Sequence, residues 1–204
     1  MGARRTIFDN YDSLEHFRRV ADFARTISAL PRGSENLASD VTFDLEELHP
    51  KLFDALAACV RVYARSETEE DLAQLALSGR RFLESIADAL FPPSEEQFEG
   101  RLVTKERYRN RLWAYLKLAM IRTGKFEEQA FSSMGKEVDR LIELFNSALH
   151  DRITKDRITE ALIDLVSWIR AVADLDRRGF RQPYLAYRGE LVSFAREIIK
   201  NQSP

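Results

Sequence analysis

Apolar residues recur at spacings of three and four over most of this chain, which is the pattern of amphipathic helices that bury one face. The clearest run spans 158–172 and follows Thr154, a residue type favoured at helix N-termini. A second run spans 138–148 and belongs to a helix predicted over about 126–149. A short loop near 150–154 joins the two segments, so they predict an antiparallel helix hairpin.

Caps and prolines mark the other helix boundaries. A first helix is predicted from Asp12 or Ser13 to Pro31, with Leu14, Phe17 and Ile27 among its inward residues. Further boundaries are Pro50 in the first turn of a second helix, Thr68 and Asp71 at the start of a third, and Pro92 and Pro93 at its end. Thr104 is expected to cap a fourth helix that ends at Gly124, and a last helix is predicted from Tyr184 to about Lys200.

Two segments are less regular. Within 32–49, Val41–Phe43 are compatible with extended structure, and any strand is expected within 34–43. The connector 94–103 changes from acidic to basic, so a subdomain boundary is considered near 92–103. The fold expected is an all-α, single-domain bundle over 1–204, with about six to eight helices around a central antiparallel helix hairpin.

Composition narrows the class of protein. The 204 residues include only 8 Gly and 6 Pro, which argues against a sheet with many turns. Cys59 is the single cysteine, so an intramolecular disulfide and a cysteine-based zinc site are excluded, and a reducing compartment is expected. The chain has no apolar signal-peptide core and no run of eighteen apolar residues, so a cytoplasmic protein that does not enter the membrane is expected.

Charge divides the chain into two unlike halves. Residues 1–100 carry 11 Lys+Arg against 19 Asp+Glu, whereas residues 101–204 carry 20 against 14. The strongest basic segment is 101–125, in which eight basic residues accompany only one acid, Glu106. Such a segment suits phosphate contact, but it equally suits pairing with acids of the same fold, in particular those of 34–48 and 67–71.

The candidate contact residues for an anion or nucleic acid lie on this basic helix and in a later basic cluster. They are Arg107, Arg109, Arg111, Lys117 and Arg122, with Arg178 and Arg181 as a second contact. On a helix, Arg109, Trp113 and Lys117 would stack along one face, where a cation–π contact with the indole is feasible. Leu112, Leu116 and Ala119 would face the core.

No motif points to catalysis, a cofactor or a metal. The chain has three histidines, one Glu-x-x-His spacing at Glu46 and His49, no glycine-rich phosphate loop and no nucleophile motif. A di-iron bundle would need two such spacings. Cys59 lies in an apolar helix and is expected to be buried and unreactive.

The function expected is a non-catalytic binding or regulatory module that contacts an anionic partner, either a nucleic acid or an acidic protein surface. The alternative is a scaffold or homo-oligomer in which the acidic and basic halves pair between subunits. An enzyme of unknown type is the third alternative.

Overall fold

The computed structural model describes residues 14–147 and 154–177, which form seven α-helices and one short β-hairpin. The elements are α1 (Leu14–Ser28), α2 (Glu35–Leu48), α3 (Pro50–Arg65), α4 (Glu69–Leu90), β1 (Ser94–Phe98), β2 (Arg101–Val103), a 3₁₀ turn (Lys105–Arg107), α5 (Tyr108–Arg122), α6 (Glu128–Ser147) and α7 (Lys155–Leu175). The predicted all-α bundle is confirmed. The predicted last helix, Tyr184 to Lys200, lies outside the described residues.

Side-chain caps fix several helix starts at the predicted places. Thr68 Oγ1 accepts from the Asp71 amide at 3.2 Å, and Asp71 Oδ2 accepts from the Thr68 amide at 2.9 Å, which is a reciprocal capping box. Thr154 Oγ1 accepts from the Arg157 amide at 3.4 Å. The Thr104 cap differs, because a 3₁₀ turn without a side-chain cap bond separates this residue from α5.

The expectation of extended structure at 41–43 is wrong, because these residues lie within α2. Ser34 Oγ accepts from the Leu37 amide at 3.1 Å and starts the helix. Val41 and Leu45, one turn apart, are fully buried. Helical burial therefore outweighs the local preference of two β-branched residues for strand.

A β-hairpin occupies 94–103, so the strand lies there and not within 34–43. Glu99 (φ 46°) and Gly100 (φ 76°) both have positive φ, as the two central residues of a type I′ turn require. The hairpin falls in the region considered as a subdomain boundary. The helices that flank it, α4 and α5, pack against each other.

The predicted inward stripe of α1 is partly wrong. Leu14 and Phe17 are 65% and 59% exposed, while His16, Phe23 and Ile27 are buried. The apolar spacing gave the correct helix but placed its buried face about one residue off at the N-terminal end. A histidine occupies the inward position there, so hydrophobicity alone did not mark it.

Helices α6 and α7 form the predicted antiparallel hairpin. Trp168 Nε1 donates to the Met134 carbonyl at 3.2 Å, and Arg140 pairs with Asp164. Later residues of α6 therefore contact earlier residues of α7, as in an antiparallel pair. Around this hairpin, α2 packs on α7, α4 packs on α6, and α3 joins α4 to α1 and α2. Within the described ranges, no helix is long and apolar enough to span a bilayer.

Candidate anion-binding site

The predicted basic helix corresponds to α5, which packs against α4, α6 and α7. Its core face is the predicted one, since Leu112, Leu116 and Ala119 are buried. The neighbouring elements carry carboxylates that reach several cations of α5. The cations clustered in the sequence are therefore largely engaged within the fold.

Arg111 is the largest fully buried side chain of the described residues, with 1% of its surface exposed. Its guanidinium donates to Asp88 Oδ1 at 2.6 Å and to the carbonyl oxygens of Phe91 and Lys105 at 3.2 and 3.1 Å. These bonds hold the end of α4 and the 3₁₀ turn together beneath the hairpin. The expectation that Arg111 is exposed to a partner is wrong, because these acceptors draw it into the interior.

Arg109 and Trp113 share a carboxylate. Arg109 Nε lies 3.4 Å from Asp139 Oδ1, and Trp113 Nε1 donates to the same oxygen at 3.0 Å. Arg109 Nη2 also lies 3.4 Å from Glu143 Oε1. The carboxylate of Asp139 on α6 thus connects these two residues, in place of the expected cation–π contact.

Two more predicted contact residues are paired but remain partly exposed. Lys117 Nζ lies 2.6 Å from Glu99 Oε2 in the hairpin turn. Arg122 Nε donates to Asp176 Oδ2 at 2.5 Å, just after α7. A partner that bound either cation would have to share it with an existing carboxylate.

Arg107 is the one predicted contact residue that is exposed and forms no ion pair with a described residue. Arg101, Lys105 and Lys125 of the same segment are also exposed without such a pair. Arg178 and Arg181 lie outside the described residues. The cations of the basic segment that pair with no described residue therefore lie at its two ends. The cations that pair with carboxylates lie along α5.

Three of the acids expected to pair with the basic helix, Asp40, Asp44 and Asp71, contact other groups. Arg170 on α7 lies 2.9 Å from Asp44 Oδ2 and 3.5 Å from Asp40 Oδ2, and Asp44 is almost fully buried. Asp71 caps α4. The two halves of opposite charge do pair within one chain, but through contacts that the local charge pattern did not indicate.

A groove of about 460 Å³ lies between α1 and α3, away from α5. Its floor includes Phe23, Ala57 and Val60, which are buried core residues. Its walls carry five arginines, namely Arg18, Arg19 and Arg25 on α1 and Arg61 and Arg65 on α3. The lining acids are Glu15 and Asp22, so the groove has a net positive charge within the acidic half of the sequence.

Three of these arginines have no ionic partner among the residues that the structure describes. Arg19 pairs with Asp54 and lies 3.9 Å from Glu15, and Arg25 pairs with Asp22. Arg18, Arg61 and Arg65 are exposed and form no ion pair with any described residue. Inspection of local charge missed this site, because the arginines lie on two helices and are interspersed with apolar residues. The one available signal is the spacing of Arg61 and Arg65, which places them one turn apart.

A buried ionisable pair adjoins the groove. His16 Nε2 lies 3.2 Å from Glu46 Oε1, and the two side chains are only 11% and 13% exposed. Desolvation, with a smaller effect of Asp54, raises the pKa of Glu46 to about 7. Desolvation and the nearby Arg19 lower the pKa of His16. Both shifts favour the uncharged forms, and Arg19 connects the pair to the groove wall.

The remaining chemical candidates have structural roles. His49 Nδ1 accepts from the Lys51 amide at 3.2 Å and caps α3. Cys59 is fully buried, and desolvation raises its pKa to about 12. Among residues 14–147 and 154–177, no three His, Cys, Asp or Glu side chains are grouped as a metal site requires.

A second cavity, of about 390 Å³, lies between the hairpin, α5 and α6. Trp113 and Phe131 form part of its wall, with their rings edge to face and 5.1 Å apart. Its lining cations, Arg101 and Lys117, are balanced by two glutamates, and Lys117 is already paired. This cavity is therefore less favourable to an anion than the groove between α1 and α3.

Comparisons of the chain with protein-family models, with characterised proteins and with solved structures found no match. The assignment of function therefore depends on the residues themselves.

Proposed function

We propose that this protein is a non-catalytic helical binding module that contacts an anionic partner, a nucleic acid or an acidic protein, through the groove between α1 and α3. The observation that carries the proposal is the presence of three exposed arginines, Arg18, Arg61 and Arg65, that form no ion pair with a described residue and surround one concave surface. Arginine suits this task because its planar guanidinium can bind a carboxylate or a phosphate through two hydrogen bonds.

The basic helix has a smaller part in this proposal than its charge density suggests. Arg111 is buried, and Arg109, Lys117 and Arg122 have carboxylate partners. A partner that displaces a carboxylate gains less than one that meets a free cation, because an existing interaction is lost. Arg107 remains a secondary contact in the proposal.

The alternative proposal is a scaffold in which acidic and basic surfaces of different subunits pair. The groove arginines that pair with no described residue would supply the basic surface, and the exposed Glu67 and Glu70 would supply the acidic one. Two copies can pair the acidic surface of each with the basic surface of the other in a closed dimer, whereas a single such contact per neighbour is heterologous and produces rings or filaments. A rise of sedimentation coefficient with protein concentration, suppressed by salt, would favour this alternative.

Anisotropy titrations at low salt test the groove. The probes are a fluorescein-labelled deoxythymidine dodecamer and a labelled glutamate-rich peptide. The double variant Arg61→Gln with Arg65→Gln should weaken whichever probe binds by at least about tenfold, which is about 1.4 kcal/mol. Binding should also fall as salt is raised.

A matched control removes the same charge elsewhere. Arg81 on α4 and Arg157 on α7 are exposed and form no ion pair with a described residue. Arg81→Gln with Arg157→Gln should change binding by less than about twofold, and both double variants should unfold within about 0.5 kcal/mol of the parent. Equal losses in the two double variants, or no binding of either probe at low salt, would refute the proposal.

A further inference from the structure

The length of the groove suits a short single chain. The lining residues of α1 run from Glu15 to Thr26, and those of α3 run from Ala57 to Arg65. At 1.5 Å per residue these walls are about 16 and 12 Å long. An extended peptide of about four or five residues spans that distance. The volume of about 460 Å³ is that of a small-ligand pocket and not of a surface that cradles a duplex.

The arginines that pair with no described residue lie on both walls. Arg18 is on α1, and Arg61 and Arg65 are on α3. Successive side chains of an extended peptide point to opposite sides, so acidic residues along it can reach both walls. Each carboxylate can then accept two hydrogen bonds from one guanidinium. An extended acidic peptide therefore matches this arrangement of charge.

Among the described residues that line the groove, the features that favour single-stranded nucleic acid are absent. Phe23 is its aromatic lining residue, and this side chain is only 2% exposed, so it offers no ring face to a base. Stacking on aromatic faces is a major source of affinity in single-strand binding. Glu15 and Asp22 on the α1 wall also repel a uniform row of phosphates, whereas a peptide can place a neutral residue beside them.

An apolar position adjoins the charged wall. Leu14 lies one turn before Arg18 on the same side of α1, and it is 65% exposed. It offers a contact for an apolar side chain of a bound peptide next to the acidic residues. A phosphate chain has no group that would use this contact.

We infer that the groove between α1 and α3 binds an extended acidic peptide segment of a partner protein, with carboxylates on Arg18, Arg61 and Arg65 and an apolar residue against Leu14. The inference rests on the proposed function, because it names the class of partner for the same site. It selects the acidic protein over the nucleic acid.

The experiment compares one acidic peptide with two phosphate probes. A labelled peptide Leu-Glu-Glu-Glu-Ser-Ser, whose Leu and third residue point to one wall and whose second and fourth residues point to the other, an octamer of deoxythymidine and inorganic pyrophosphate are titrated against the full chain at low salt. The peptide should bind more tightly than either phosphate probe. Arg61→Gln with Arg65→Gln should weaken the peptide at least about tenfold, whereas Arg81→Gln with Arg157→Gln should change it less than about twofold. Leu14→Ser should weaken it about threefold, and replacing the peptide's Leu by Ser should have the same effect.

The outcomes separate the inference from the proposed function. Tighter binding of the octamer or of pyrophosphate, lost in the groove variant, would overturn the acidic-peptide inference and leave an anion-binding groove. Binding of no probe would overturn both. Equal sensitivity of the peptide to the groove and control variants would also overturn both, since it would show non-specific attraction. Circular dichroism of each variant confirms that the compared proteins are folded.

Discussion

The basic segment 101–125 and the groove between α1 and α3 both concentrate positive charge, but they differ in how many of their cations are paired with carboxylates. The basic segment has eight cations, and its central helix packs among α4, α6 and α7. Carboxylates of α4, of α6 and of Asp176 just after α7 pair with Arg111, Arg109 and Arg122. The groove has five arginines, of which three have no ionic partner among the described residues. The density of charge along a sequence thus does not measure the charge available to a partner.

The location of each element explains the difference. α5 carries cations on both flanks of its core face, so packing brings carboxylates of neighbouring elements to them. α1 and α3 pack on each other and on α2, and their outer edges face the groove. The arginines on those edges meet solvent, so a site assembles there although neither helix looks markedly basic.

The largest effect expected from this comparison concerns Arg111. Arg111→Gln should destabilise the fold by about 3 kcal/mol, because it removes a charged hydrogen bond to Asp88 and leaves two carbonyl oxygens without their donor. Arg107→Gln, four residues earlier and exposed, should change the free energy of unfolding by no more than about 0.5 kcal/mol. Urea denaturation followed by circular dichroism measures both. Similar stabilities for the two variants would contradict the distinction between engaged and free cations.

An intermediate effect is expected at Glu46, which adjoins the groove. Its pKa is raised from 4.5 to about 7, so the folded state retains a proton that the unfolded state loses between these values. This carboxyl therefore makes stability fall as pH rises from about 4.5 to 7, because the charged form must be desolvated. The titratable groups that act on it are His16 on α1, whose Nε2 lies 3.2 Å away, and Asp54 on α3, and Arg19 acts on His16.

Glu46→Gln removes this titration. Relative to the parent, the variant should gain about 1–3 kcal/mol of stability between pH 5 and pH 8, an order-of-magnitude figure from the size of the shift. Urea midpoints of both proteins at the two pH values provide the test. A difference between variant and parent that does not change with pH would show that Glu46 is charged in the fold.

The smallest effect is expected at Lys117, whose pair with Glu99 lies at the surface. Lys117→Gln should cost about 0.5 kcal/mol at low salt, because an exposed ion pair contributes little. The loss should vanish near 1 M salt, where the screening length is about 3 Å. Urea titrations at the two salt concentrations measure it. A loss larger than about 2 kcal/mol would place Lys117 with Arg111 as a structural cation.

Local signals predicted most of the helices, and their failures have identifiable causes. Thr68 with Asp71, Pro50 and Thr154 act on neighbouring backbone groups, so their positions in the sequence suffice to place helix starts. The prediction of extended structure at 41–43 was wrong because it depended on the strand preference of three residues. It did not take into account the face that α2 buries against its neighbours. At the N-terminal end of α1, the inward residue is His16, which an apolar pattern does not indicate.

The candidate site was less predictable than the fold. Arg107, Arg109, Arg111, Lys117 and Arg122 formed one group by sequence, but the structure divides them into buried, paired and free. Asp88 lies 23 residues before Arg111, and Asp176 lies 54 residues after Arg122. No spacing rule connects such pairs. The groove arginines were missed for the same reason, because Arg18 and Arg61 line one groove only when α1 packs on α3.

The sequence by itself determined the all-α class, most helix boundaries and the antiparallel hairpin of α6 and α7, because these depend on backbone hydrogen bonds, caps and apolar periodicity within a few turns. Tertiary structure alone decided which charges are buried, which are paired and which remain free. Electrostatic interactions act through space, and burial depends on the neighbours that packing supplies. Residues remote along the chain, such as Arg170 and Asp44, therefore decide each other's state.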